Sequence, residues 1–75
     1  GDMLWHMRPL FVRPLNLEER AALEAGLRAP DAFTLRRSQI LLASADQQRP
    51  SRIARILHCS TQTVRNSIRE FEERG

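Results

Sequence analysis

Residues 50–69 read PSRIARILHCSTQTVRNSIR, and this stretch decides which fold the chain adopts. Pro50 suits the first turn of a helix, and the apolar residues after it predict a helix from about Pro50 to Leu57. Ser60 is a favoured N-cap, so a second helix should begin after it and run to about Arg74. The sequence therefore predicts two helices joined by a turn of three residues, which is the helix-turn-helix arrangement.

The second of these helices separates into two faces when its residues are placed at intervals of about 100°. Val64, Ile68 and Phe71 form a narrow apolar stripe that has to pack inward, and Ser67 flanks it. The opposite face carries donors, acceptors and positive charge, contributed by Gln62, Arg65, Asn66 and Arg69.

The preceding helix and the turn should supply the partners of that stripe. We expect Ile53, Ile56 and Leu57 to point inward, and Ala54 to allow a close crossing of the two helices. Cys59 should complete the core as a small apolar residue rather than act as a reactive thiol.

His58 stands where many helix-turn-helix units carry glycine, because this turn residue takes a positive φ. Histidine tolerates that conformation better than a branched residue does. The preferred interpretation is a strained turn residue; the alternative is an imidazole that binds a phosphate. His6, His58 and the lone cysteine match no metal-ligand spacing, so no metal or other cofactor is predicted.

Two further helices are predicted upstream. The first runs from about Leu17 to Arg28, with Asn16 as N-cap and Glu19 in capping-box position. Its apolar face should contain Leu23 and Leu27. The second runs from about Ala32 to Ala45, with Arg36 and Arg37 off its apolar stripe of Leu35, Ile40, Leu41 and Leu42. The fold class is all-α, a compact bundle of about four short helices.

Residues 1–15 are predicted to form an extended arm ahead of a domain at residues 16–75, because two prolines disfavour a helix there. A floppy arm is the preferred interpretation. One alternative has Arg8 and Arg13 reaching into a minor groove. Another has Leu10–Val12 pairing with a partner chain.

Composition restricts the class of protein. Seventy-five residues, 41% of them hydrophobic and 28% charged, suit one small globular domain. The single cysteine excludes an internal disulfide and suits a reducing cytosol, and no apolar run is long enough for a membrane span. We therefore expect a cytoplasmic protein. Gly1 is expected to be a tag remnant, with Met3 or Met7 as the native start.

Charge placement indicates the partner. All 12 basic residues are arginine. Five of them lie in residues 47–69, which contain no acidic residue and are called the basic stretch below. The use of arginine in place of lysine is explained equally well by a GC-rich genome as by binding to nucleic acid. The five arginines of the basic stretch could also form an ordinary solvated face. The absence of acids beside a capped helix favours double-stranded DNA, because phosphates supply most of the affinity of such complexes.

The polar residues of the motif have expected contacts with DNA of two kinds, to base edges and to phosphates. Arginine pairs with guanine, and glutamine or asparagine with adenine, so the base-reading residues should be Gln62, Arg65, Asn66 and Arg69. Contacts to phosphate fix the register of the protein on the duplex. They are expected from Arg49, Arg52, Arg55, Ser60, Thr61 and Thr63.

Three segments resemble the N-terminal domain of bacterial insertion-sequence transposases of the mariner-like superfamily: LNLEERAALEAGLR at 15–28, LRRSQILLA at 35–43 and IARILHCSTQTVRNSIREF at 53–71. The most specific parts are Cys-Ser-x-x-Thr-Val-Arg at 59–65 and Phe-x-x-x-Gly at 71–75. The resemblance implies a homeodomain-like fold that binds the terminal inverted repeats of an element, or a stand-alone relative of such a domain. In that family a separate domain carries the catalytic residues.

Two other functions stay open from the sequence. A small transcriptional repressor would act as a homodimer on a palindromic site. A protein-interaction module would instead use the N-terminal apolar segment and the acidic residues Glu70, Glu72 and Glu73. An enzyme is disfavoured, because no nucleophile, acid pair or metal cluster suggests a catalytic site, and no small-molecule substrate or membrane partner is predicted.

Overall fold

The computed structural model describes residues 10–74, in which four helices follow one another: α1, Leu17–Gly26; α2, Ala32–Ala45; α3, Pro50–Leu57; and α4, Thr61–Arg74. No strand occurs within these residues, so the all-α prediction is confirmed. None of the described helices combines the length and the apolar character that crossing a membrane would require.

The predicted end of the first helix at Arg28 is wrong, because α1 ends at Gly26. The amide groups of Arg28 and Ala29 donate to Ala25 and Gly26, so the chain tightens into i→i+3 bonds. Pro30 follows directly, and a proline disfavours helical backbone in the residue before it.

Side-chain caps start the first two helices. The Asn16 carboxamide oxygen accepts from the Glu19 amide at 2.7 Å, and the Glu19 carboxylate accepts from the Asn16 amide at 3.1 Å, which confirms the capping box. At the start of α2, Asp31 accepts from the Thr34 amide at 2.8 Å. Hydrogen bonding to Thr34 lowers the pKa of Asp31.

The core lies where α4 packs against α2 and α3. The stripe of Val64, Ile68 and Phe71 is buried as predicted, each residue being at most 4% exposed. Ile40 and Leu41 from α2 and Ile53 and Ala54 from α3 cover it, and Leu57 and Cys59 pack at its edge. Because side chains of α2 and α3 enclose the apolar stripe of α4, the opposite face of this helix is the one exposed to solvent.

Two of the predicted inward positions are wrong. Ile56 is 57% exposed, because it shares the outer face of α3 with Arg52 while Ile53 and Leu57 turn inward. Leu27, which caps the end of α1, is 41% exposed, and only Leu23 of the helix is buried. This short helix packs on α2 alone among the described helices, so it has no second neighbour to cover a wider stripe.

Residues 10–15 form an extended strap that packs on the helices. Val12 is buried, and its amide donates to the buried Ser44 hydroxyl at 2.8 Å, while Leu10 and Leu15 pack at the edge of the core. The floppy-arm interpretation is therefore wrong for these residues, whereas pairing of Leu10–Val12 with a partner chain stays a prediction. Residues 1–9, including Arg8, lie outside the described residues.

Arg13 anchors the strap at two helices, which contradicts its proposed place in a minor groove. Its guanidinium donates to both carboxylate oxygens of Glu19, at 2.8 and 2.6 Å, and lies 4.8 Å from the centre of the Phe71 ring. Its amide donates to Glu72 of α4 at 2.7 Å. The hydrogen bond from Arg13 is the main reason why the pKa of Glu19 falls to about 2.

Gly26 lies where α1 crosses α2, in close contact with the side chain of Ser38. A methyl group there would collide with the Ser38 hydroxyl oxygen and lie 3.1 Å from the Ser38 β-carbon. We expect Gly26→Ala to lower the free energy of unfolding by about 1 kcal/mol or more, as overpacking does. Urea denaturation measures this change. Ser38→Ala should restore part of the loss in the Gly26→Ala background, and a Gly26→Ala variant as stable as wild type would contradict the close contact.

The Arg13–Glu19 pair predicts how stability depends on pH. The pKa of Glu19 is about 2 in the folded chain and about 4.5 without its partners. Its contribution is therefore complete above pH 4.5 and lost as pH falls towards 2. Urea midpoints measured from pH 6 to 2 should fall less steeply for Glu19→Gln and Arg13→Gln than for wild type. The lowered pKa of Asp31 adds a loss of stability in acid that wild type and both variants share. The difference between their profiles therefore reports on the Arg13–Glu19 pair. Three parallel profiles would contradict the role of the pair.

Candidate nucleic-acid interface

The turn between α3 and α4 has the predicted left-handed residue. His58 has φ 57° and ψ 46°, and its amide and that of Cys59 both donate to the Ala54 carbonyl oxygen. The positive φ ends α3 sharply and lets Cys59 fold back against the core. The chain can then leave at an angle that places α4 across α3.

Ser60 caps α4 as predicted, and it does so together with Thr63. The Thr63 amide donates to the Ser60 hydroxyl oxygen at 3.0 Å, and the two hydroxyl groups are hydrogen-bonded to each other at 2.9 Å. Only one hydroxyl proton is used between them, so the other remains available to an outside acceptor. The arrangement suits an oxygen of a phosphate group at the start of α4.

The four predicted base-reading residues are exposed and share the outer face of α4. Two of them are linked, since the Gln62 side-chain amide donates to the Asn66 carboxamide oxygen at 2.8 Å. The bond orients both groups and leaves the Gln62 oxygen and the Asn66 amino group free to meet a base edge. Arg65 and Arg69 are exposed on the same face of the helix as this pair.

The predicted phosphate-binding arginines are exposed on and beside α3: Arg49, Arg52 and Arg55. Arg49 holds the N-cap position, but its side chain makes no capping bond. Between residues 10 and 74, ion pairs join Arg13 to Glu19 and Arg20 to Asp46, and none includes an arginine of the basic stretch. These guanidinium groups are therefore not engaged in a direct ion pair within the described residues.

The charge of α4 changes along its length. Arg65 and Arg69 are exposed up to the middle of the helix, whereas the exposed residues after them are mostly acidic: Glu70, Glu72, Glu73 and Arg74. Because carboxylates are repelled by phosphates, the part of α4 suited to contact nucleic acid is residues 61–69, which we refer to as the first half of the helix. The surface of α4 suited to DNA is thus shorter than the recognition helix that the sequence predicted, and it lies beside the turn and α3.

Sequence reasoning missed a neighbouring part of α2. Phe33, Arg36 and Arg37 line a groove with Thr63 and Ser67 of α4. The polar stripe of α2 could indicate that these arginines lie at the surface, but not that they lie beside the capped start of α4. That position depends on how the two helices cross.

Comparison with known proteins supports the helix-turn-helix. Residues 31–75 match the model of the homeodomain-like domain family. The match begins at Asp31, the cap of α2, covers more than half of the chain, and leaves the strap and α1 outside. No curated protein and no solved structure gives a significant match to the chain.

The left-handed turn gives a test of the local geometry. Glycine adopts this conformation without the cost of a β-carbon, although it also gains freedom in the unfolded chain. We expect His58→Gly to raise the free energy of unfolding by about 0.5–1 kcal/mol. His58→Ala keeps a β-carbon and should give no such gain. Urea denaturation of both variants measures the difference, and equal stabilisation by alanine would contradict a left-handed residue here.

Proposed function

We propose, since the chain belongs to the homeodomain-like domain family, that it binds double-stranded DNA sequence-specifically, with the first half of α4 in the major groove. The observation that carries this proposal is the exposed cluster of Gln62, Arg65, Asn66 and Arg69, on a helix whose other side is buried. A helix of this kind fits the major groove, where each base pair presents a distinct pattern of donors and acceptors.

The proposed contacts divide into two kinds. Arg65 and Arg69 read guanine, while the linked amides of Gln62 and Asn66 read adenine. The phosphate contacts come from the exposed arginines of α3 and from the hydroxyl groups at the start of α4, namely Arg49, Arg52, Arg55, Ser60, Thr61 and Thr63. Four or five neutralised phosphates should give a log–log dependence of affinity on salt with a slope near about −4.

We further propose that residues 16–75 act as the DNA-binding domain of a mariner-like insertion-sequence transposase, or of a stand-alone relative, in the bacterial cytoplasm. The motif at residues 59–65 and its close at 71–75 support this assignment. The target would then be the terminal inverted repeat of an element. Catalysis is assigned to no residue of this chain.

Selection from a random duplex library at moderate salt, followed by sequencing, tests the proposed function. We expect enrichment of a motif with guanine and adenine at the positions that α4 contacts. An asymmetric motif would favour the end of a mobile element, and a palindrome with half-sites one helical turn apart would favour a dimeric repressor. No enrichment over the starting library would contradict sequence-specific binding, and a stable protein complex without DNA affinity would favour an interaction module.

Substitutions on the selected site separate reading from positioning. Arg65→Ala and Asn66→Ala should relax specificity at single positions, at a cost of about 1–3 kcal/mol for the preferred base. Arg52→Ala should weaken binding to all sequences alike and reduce the salt slope by about 1. Arg20→Ala, on α1, is the control and should change neither. Equal losses on every sequence for all three interface variants would show that α4 is not the reading helix.

A further inference from the structure

A groove lies between the first half of α2 and the first two turns of α4, next to the proposed reading face. Its lining residues are Phe33, Arg36, Arg37, Ile40, Thr63 and Ser67. Two of these side chains are cationic and none is acidic, so the groove attracts anions. Thr63 shares a hydrogen bond with Ser60, which places the groove beside the capped start of α4.

Phe33 and Arg36 form a ridge along one side of this groove. They lie one turn apart on α2, and both also line a second groove, formed with Ala32, Leu35 and Gln39. Phe33 is 74% exposed. A single exposed aromatic residue is ordinary, but this one is adjacent to an exposed guanidinium and to a surface already rich in arginine.

The two arginines of the groove differ in their surroundings. The Arg37 guanidinium lies 5.7 Å from the centre of the buried Phe71 ring, and Arg37 is half-buried. Arg36 is exposed and forms no ion pair within residues 10–74. Arg36 is therefore the cation of this groove that is available to an outside anion, while Arg37 is held against the core.

We infer that the ridge of Phe33 and Arg36 contacts the sugar–phosphate backbone of the duplex that α4 reads, with Arg36 binding a phosphate and the Phe33 ring packing on a deoxyribose. This inference rests on the proposed function and extends the DNA surface from α3 and α4 to α2. The groove has two arginines and no acidic residue in its lining, and it adjoins the capped start of α4, which favours the anionic backbone of DNA as the occupant. A second copy of this chain that docked through the same face would bring like charges together here.

The test is the affinity of the full chain for its selected duplex, measured by fluorescence anisotropy between about 50 and 200 mM salt. Arg36→Gln should reduce the slope by about 0.9, so that wild type loses about three- to fourfold more affinity than the variant over this range. Phe33→Ala should weaken binding on every sequence while the slope stays unchanged, since no charge is removed. Arg20→Gln and Leu17→Ala are the matched controls on α1 and should bind like wild type.

The outcomes separate this inference from the proposed function. If wild type binds its site but Arg36→Gln and Phe33→Ala retain its affinity and slope, the ridge lies off the DNA and the inference is overturned. If Phe33→Ala instead turns a dimer into a monomer in sedimentation, the ridge is an interface between copies, which also overturns it. If wild type shows no salt-sensitive affinity for any duplex, the proposed function itself fails.

Discussion

The apolar stripe of α4 has to be buried, and the rest of the structure follows from that constraint. Val64 and Ile68 are fully enclosed, and Phe71 nearly so, by side chains of α2 and α3. Burial of each such side chain contributes about 1.5–3 kcal/mol, which no exposed ion pair in this small chain can match. Once the stripe faces inward, the polar face of the same helix is oriented towards solvent with its donors and acceptors in fixed relative positions.

The other elements hold α4 in place. The left-handed His58 ends α3, and the Ser60–Thr63 pair starts α4, so the angle between the helices is set by local hydrogen bonds. The strap acts from the other end, because Arg13 joins Glu19 of α1 to Glu72 of α4. Glu72 near the end of α4 is thereby involved in structure, while the helix up to Arg69 stays cationic.

Local signals in the sequence predicted most of the fold. Pro50, Ser60 and the capping box at Asn16 fix where helices begin, and periodicity predicts which side of α4 is buried. Other features depend on contacts distant in sequence. Ile56 and Leu27 are outward because α3 and α1 lack a neighbour on that side, and the strap carries no periodic pattern. The ridge of Phe33 and Arg36 is visible only when α2 is placed across α4, and which bases the exposed residues read is not encoded in helix geometry.

The most direct test of the central claim is an NMR titration of the isotope-labelled chain with its selected duplex. We expect the largest changes in amide chemical shift to fall within residues 60–69, with smaller ones at the start of α3, and all of them to diminish as salt is raised. Changes concentrated on α1, with α4 unaffected and little dependence on salt, would contradict the claim that the first half of α4 is the DNA-binding surface.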